Sequence, residues 1–224
     1  MNDFWRALID SDNIREVENA FDLEADYIFD LYLEDDWIMV VKSHAIIETV
    51  ANYAISMRFK AKVANVPIDY SGLDKFVSRL EMSNTKFGKL ALLKIYDLID
   101  DDYIKRMQSL SELRNKSVHD IRGIALNINN SVSQMSADEF SVFKKRWITP
   151  SSLPRDEVCD VDDDAILADP KGFIHACTCD IIADIWSYSQ GMVGLIELDD
   201  LVKAFALKQL NLLKGENGES QTSE

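Results

Sequence analysis

Residues 36–62 read DWIMVVKSHAIIETVANYAISMRFKAK, with neither Gly nor Pro among them. Asp36 stands where a helix would begin, and no breaker interrupts the run until Pro67. Apolar residues cover more than half the circumference of such a helix, so it is expected to lie deep in a bundle rather than on a surface. A long buried helix needs helices around it, and the rest of the chain can supply them. The 224 residues include only eight Gly and four Pro. That scarcity predicts long helices and few tight turns, and it argues against an all-β sandwich. The expected class is therefore all-α, with helix over more than half the chain. The length suits one domain over residues 1–214, followed by a disordered tail at 215–224.

Working outward, residues 2–35 read as one or two acidic helices, with Asp12 or Asn13 as cap and Val17, Phe21, Ala25, Ile28 and Leu31 at helical spacing. After the connection 65–72, an amphipathic helix carries Leu73, Phe76, Val77 and Leu80. Asn84 to Gly88 reads as a break, and KLALLKIYDLI (residues 89–99) as a further helix. Asp100, Asp101 and Asp102 then stand where the dipole of the next helix favours negative charge. They also resemble an acidic metal cluster, but successive residues at a helix start point in different directions. The helix YIKRMQSLSELRNK follows, with Ile104, Met107, Leu110 and Leu113 inward, and brings Arg114 to its end. Residues 121–135, rich in Asn and Ser, read as a loop. Ser136 to Glu139 is a capping box opening EFSVFKKRW. Residues 149–170 form a second irregular stretch with a dense acidic run; it lacks the Gly and closing Glu of a calcium loop. The last part reads as a helix over about 171–194 and another over about 195–214.

Charge and cysteine content narrow the function classes. The formal net charge of −15 speaks against broad, non-specific binding to nucleic acid. From Lys75 to Arg122, however, ten Lys/Arg stand against seven Asp/Glu, so this segment is about +3 and the remainder about −18. Three cysteines, Cys159, Cys177 and Cys179, make no disulfide framework. The acidic N-terminus has no basic flank before an apolar run, and no apolar run reaches membrane-spanning length. The expectation is a cytoplasmic protein without a membrane segment. His175, Cys177 and Cys179 invite a metal reading, but steps of two residues separate them around a helix, and small core residues fit as well. No metal or cofactor is expected.

Two polar groupings remain. His44 and Glu48 lie four apart, hence on one helix face; they are either turned toward a site or joined at the edge of the buried face. The stretch SELRNKSVHD, Ser111 to Asp120, packs Arg114, Asn115 and His119 into six residues. A fixed guanidinium fork and an imidazole that titrates near neutrality are parts suited to a phosphodiester. By spacing alone the same residues are better read as a helix end with a cationic last turn.

The segment from Tyr70 to Asp120 also carries a resemblance. Its order is a Leu-rich helix with a central Arg79, a short apolar helix ending in DLI, an acidic helix start, and LRNKSVHD. This resembles the mannitol-operon-repressor-like family and, more widely, the HEPN superfamily, whose mark is Arg, a polar residue and, after a short spacer, His. Arg114, Asn115 and His119 match that mark, and about residues 36–125 are covered. The chain departs from the repressor pattern in two places: KIYDLI replaces the usual Leu-Gly-Leu-Ile, and Val118 replaces an Ala. The resemblance implies an up-and-down HEPN-like bundle over 36–125, with additional C-terminal helices over 136–214. It further implies a homodimer whose site forms where two copies of the motif meet, with Arg114, Asn115 and His119 as its catalytic residues. Many HEPN proteins are metal-independent endoribonucleases of defence or toxin–antitoxin systems. Others, the mannitol-repressor-like proteins among them, are regulatory or binding modules. The expected partners are accordingly a second copy, RNA, and an antitoxin or regulator protein.

Overall fold

The structure, a computed structural model, describes residues 11–62, 72–119, 126–147 and 162–218, with the side chains of 119, 195 and 197–218 outside that description. Helix takes up 81% of it, and no strand occurs among the described residues, as the scarcity of Gly and Pro predicts. The elements in order are α1 (Ser11–Ala20), α2 (Tyr27–Asp30) running into a 3-10 turn (Leu31–Leu33), α3 (Asp36–Lys62), α4 (Leu73–Arg79), α5 (Lys89–Ile95), α6 (Asp101–His119), α7 (Ile128–Ser133), α8 (Ala137–Trp147), α9 (Asp163–Ala168) and α10 (Pro170–Gly218).

The core is built on α3, which lies against α10 along its most extensive contact and is flanked by α4, α5 and α6. Met39, Val40, Ile47, Val50, Ala51, Ala54 and Ile55 of α3 are all buried within the chain. Their spread around the helix explains why no single apolar face can be read in the sequence: α3 is enclosed from several sides. α10 and α6 cover much of that apolar surface. Against it, Ile174, Ile181, Ile182, Ile185 and Trp186 of α10 complete the core.

Local chemistry sets the boundaries. Asp22 and Asp26 adopt left-handed backbone (φ 59° and 62°), a conformation Asp tolerates better than most residues, and they separate α1 from α2. The buried Glu18 carboxylate accepts from the backbone N–H of Ile28 at 2.8 Å and of Asp26 at 3.1 Å, capping α2 across the bend. Asp100 accepts from the N–H groups of Asp102 and Tyr103, both at 2.9 Å, so the acidic triplet does open α6 as a cap. Ser136 and Glu139 form the expected capping box at the start of α8.

Several expectations are corrected. The described part of the stretch read as a loop holds a helix: α7 forms at 128–133 because Asn127 caps it, accepting from Asn130 N–H at 2.7 Å. The second irregular stretch contains α9, capped by Asp162. Phe76, placed inward by spacing, is 60% exposed, and only Val77 of α4 is buried. The two C-terminal helices are one, α10, whose 49 residues continue past Gly191 and Gly194 and past residue 214 to Gly218. The tail expected from residue 215 therefore begins inside a helix, and 219–224 lie outside the described residues. So do Cys159, Arg122 and the first three acids of the acidic run, Asp156, Glu157 and Asp160.

Candidate functional site

The end of α6 carries the motif. The sequence places Arg114 at the end of its helix, whereas α6 runs five residues further and closes on His119. Arg114 is half-buried and Asn115 exposed, and an Arg114 Nη1–H donates to Asn115 Oδ1 at 3.0 Å. That bond uses one of the five guanidinium donors and orients the rest. His119 lies four residues beyond Asn115, one turn further along the same side of the helix. Its side chain is outside the described residues. The helix end is held by the indole N–H of Trp37, at the start of α3, which donates to the Ser117 carbonyl at 3.0 Å.

Behind Arg114 lies a polar cluster that the sequence only half discloses. His44 and Glu48 of α3 face α5 and α6. His44 Nε2 and Ser111 Oγ are 3.0 Å apart, one turn before Arg114, and Glu48 Oε2 lies 4.0 Å from His44 Nδ1. A carboxylate beside Nδ1 favours the proton there, leaving Nε2 to accept from the Ser111 hydroxyl. The other Glu48 oxygen pairs with the ammonium of Lys89, which is fully buried at the first turn of α5. Burial lowers the His44 pKa; Glu48 pulls the other way, while the charges of Arg114 and Lys89 add to the lowering. The neutral imidazole thus sits within electrostatic reach of Arg114. The His44–Glu48 spacing was visible in the sequence, but Ser111 and Lys89 are 67 and 41 residues away along the chain and could not be assigned to it.

Four of the ten cations in residues 75–122 are held by acidic partners within the chain. Lys89 is buried on Glu48; Arg106 is buried with Nη1 4.0 Å from Asp180 and its guanidinium 5.2 Å from the centre of the Tyr103 ring. Lys94 pairs with Asp101, and Lys105 with Asp102 at 2.9 Å. Arg114 and Lys116 are the cations left near the motif without an acidic ion-pair partner among the described residues.

The His175–Cys177–Cys179 grouping resolves differently from its adjacent spacing. The outer pair, four apart, does meet: Cys179 Sγ is 3.7 Å from His175 Nε2. Cys177 points elsewhere, its thiol donating to the Trp147 carbonyl at 2.7 Å. All three are buried, and burial pushes the Cys177 thiol up to about 12 and His175 down to about 4. A protonated thiol and a neutral, enclosed imidazole are core residues in their chemistry. Among the described residues no group of three or more His, Cys, Asp or Glu is placed to hold a metal ion, and no helix is long and apolar enough to cross a membrane.

Comparison with protein-family models, with curated proteins and with solved structures finds no match to this chain.

Proposed function

We propose that the chain is a metal-independent endoribonuclease of the HEPN type, an up-and-down helical bundle acting as a homodimer in a defence or toxin–antitoxin setting. The observation that carries this reading is the arrangement at the end of α6. Arg114 is held at 3.0 Å by Asn115, which lies one turn ahead of His119 at the helix terminus.

The chemistry follows from RNA itself. Its 2′-hydroxyl is an internal nucleophile, so no metal is needed to generate one. The 2′-oxygen attacks phosphorus while its proton is removed; the bond to the 5′-oxygen breaks as that oxygen receives a proton; a 2′,3′-cyclic phosphate remains. His119 moves the proton. The guanidinium donors of Arg114 not used by Asn115 stabilise the equatorial oxygens as charge develops on them. Asn115 acts by fixing that fork.

His119→Ala and Arg114→Ala should each lower cleavage of mixed RNA by about two to four orders of magnitude while melting curves stay cooperative. Arg114→Lys should not restore full rate, because an ammonium lacks the bidentate fork. Cleavage should persist in excess chelator and fail on DNA. Activity surviving in His119→Ala would reject these role assignments.

A second reading has its own observation. The chain's formal charge is −15, and its one positive segment commits Lys89, Lys94, Lys105 and Arg106 to acidic partners within the chain. That favours a non-catalytic regulatory or protein-binding module, as in the mannitol-operon-repressor-like family. Wild type no more active than both variants on several RNAs would put this reading first.

A further inference from the structure

On α6, away from the Arg114 cluster, the helix borders a cavity of about 230 Å³ shared with α7, α8 and α10. Its wall is apolar and aromatic, with Phe143 and Trp147 of α8 and Ile174 of α10, all buried. An enclosed apolar cavity of about 150 Å³ accepts benzene, so this one has room for a ring or branched chain and a polar head. Four charged residues border it: Glu112 and Lys116 on α6, Glu139 and Arg146 on α8.

These charges do not cancel one another. Among the described residues none of the four forms an ion pair with another. Arg146 is instead oriented by the neutral Ser109 hydroxyl, to which Nη1–H donates at 2.8 Å. Glu139 is fixed through Oε2, which accepts from Ser136 N–H and Oγ–H at 2.8 Å each, bonds that lower its pKa. An apolar pocket ringed by two cations and two carboxylates is poorly matched to a simple acid or a simple amine, each of which would meet two like charges. A zwitterion on an apolar body satisfies both pairs.

We propose that this cavity binds a free amino acid with a large apolar side chain: the side chain against Phe143 and Trp147, the carboxylate toward Arg146 and Lys116, the ammonium toward Glu112 and Glu139. The site stands apart from the proposed RNA chemistry, and its test requires no nuclease activity.

The full-length protein is titrated with L-phenylalanine, L-tryptophan and L-leucine by calorimetry and ligand-observed NMR, alongside 3-phenylpropionate, phenethylamine and indole. At least one amino acid should bind saturably with a dissociation constant of about 1 mM or tighter. The analogues lacking one charge should bind at least about tenfold more weakly, since each loses a charge-assisted contact. Arg146→Gln should weaken binding similarly. Val142→Trp, at a half-exposed position on the lining, should abolish it without touching the core. The proposal is overturned if no amino acid saturates by about 10 mM, if phenylpropionate or phenethylamine binds as tightly as phenylalanine, or if binding survives unchanged in both variants.

Discussion

His175 is completely buried in α10, with the Tyr32 ring 6.1 Å from its own and Cys179 Sγ at 3.7 Å. Burial holds its pKa at about 4, below the 6.5 of an exposed imidazole. Between those values the unfolded chain binds the proton and the folded one does not, so stability is intact above about pH 6.5 and falls as pH drops toward 4. Fully expressed, that gap is worth about 3 kcal/mol. His44, lowered for the same reason, acts in the same direction. Denaturant unfolding at pH 7.0 and 4.5 should therefore show a loss, and His175→Gln should flatten the dependence. Equal slopes in the two proteins would refute the assignment. Glu18 offers a second check at this scale. Its carboxylate is 2% exposed and satisfies two N–H groups, so Glu18→Ala should cost about 2 kcal/mol by leaving them buried without acceptors. Single residues were legible in the sequence where their chemistry is local: Asp100 and Ser136 as caps, and His44 with Glu48 on one face. Ser111, Lys89 and Glu18 were not, because what makes each important is a contact that only the packing of distant elements creates.

At the scale of the element, the break between α4 and α5 shows how much a boundary can depend on one position. Asn84 Oδ1 accepts from the N–H groups of Lys86 and Phe87, both at 2.9 Å, and the chain then folds back so that Lys89 N–H reaches the Glu81 carbonyl at 2.9 Å. A Cβ on Gly88 would lie 2.2 Å from that carbonyl oxygen and 2.7 Å from the Asn84 one. Both are backbone atoms that cannot swing aside, so Gly88→Ala should destabilise the fold by about 2 kcal/mol. It should also loosen Lys89 from Glu48, next to the motif. The sequence marked this break correctly from its Asn and Gly. It marked a second break wrongly, at about Gly194, because a glycine that ends a helix and one that merely weakens it read alike. Gly191 and Gly194 both lie inside α10 with no atom within 4 Å of where a Cβ would stand. Gly194→Ala should accordingly raise helix content and stability by up to about 1 kcal/mol. A drop in helicity by circular dichroism would favour the two-helix reading. The same ambiguity hid α7 and the last turn of α6, where Asn, Ser and His suggest a loop until the capping geometry is known.

For the whole molecule, the question is whether one copy is sufficient. The all-α architecture was legible because every long segment lacks breakers. The arrangement around α3 was not, since a helix apolar on most sides announces burial without naming what buries it. In this fold α10 lies along α3 and α6 flanks it. What calls for a second copy is the proposed chemistry. Arg114 and Asn115 sit at an accessible helix end beside Val118, which is 44% exposed, and the neighbouring Lys89, Lys94, Lys105 and Arg106 are already paired with acidic side chains. One motif alone offers a phosphodiester a single oriented guanidinium. Two motifs related by a twofold axis offer two forks and two imidazoles on opposite sides of the phosphate, and such an isologous contact closes at two copies. Specific activity on RNA should therefore fall as the protein is diluted and should follow the dimer fraction measured by sedimentation at the same concentrations. Val118→Asp, which places like charges across the axis, should lower both together while leaving the monomer's melting transition in place. Activity strictly proportional to protein concentration through the range in which sedimentation shows only monomer would place the whole site within one chain. The neutral His44, 3.0 Å from Ser111 and electrostatically coupled to Arg114, would then be the residue to test as its second proton carrier.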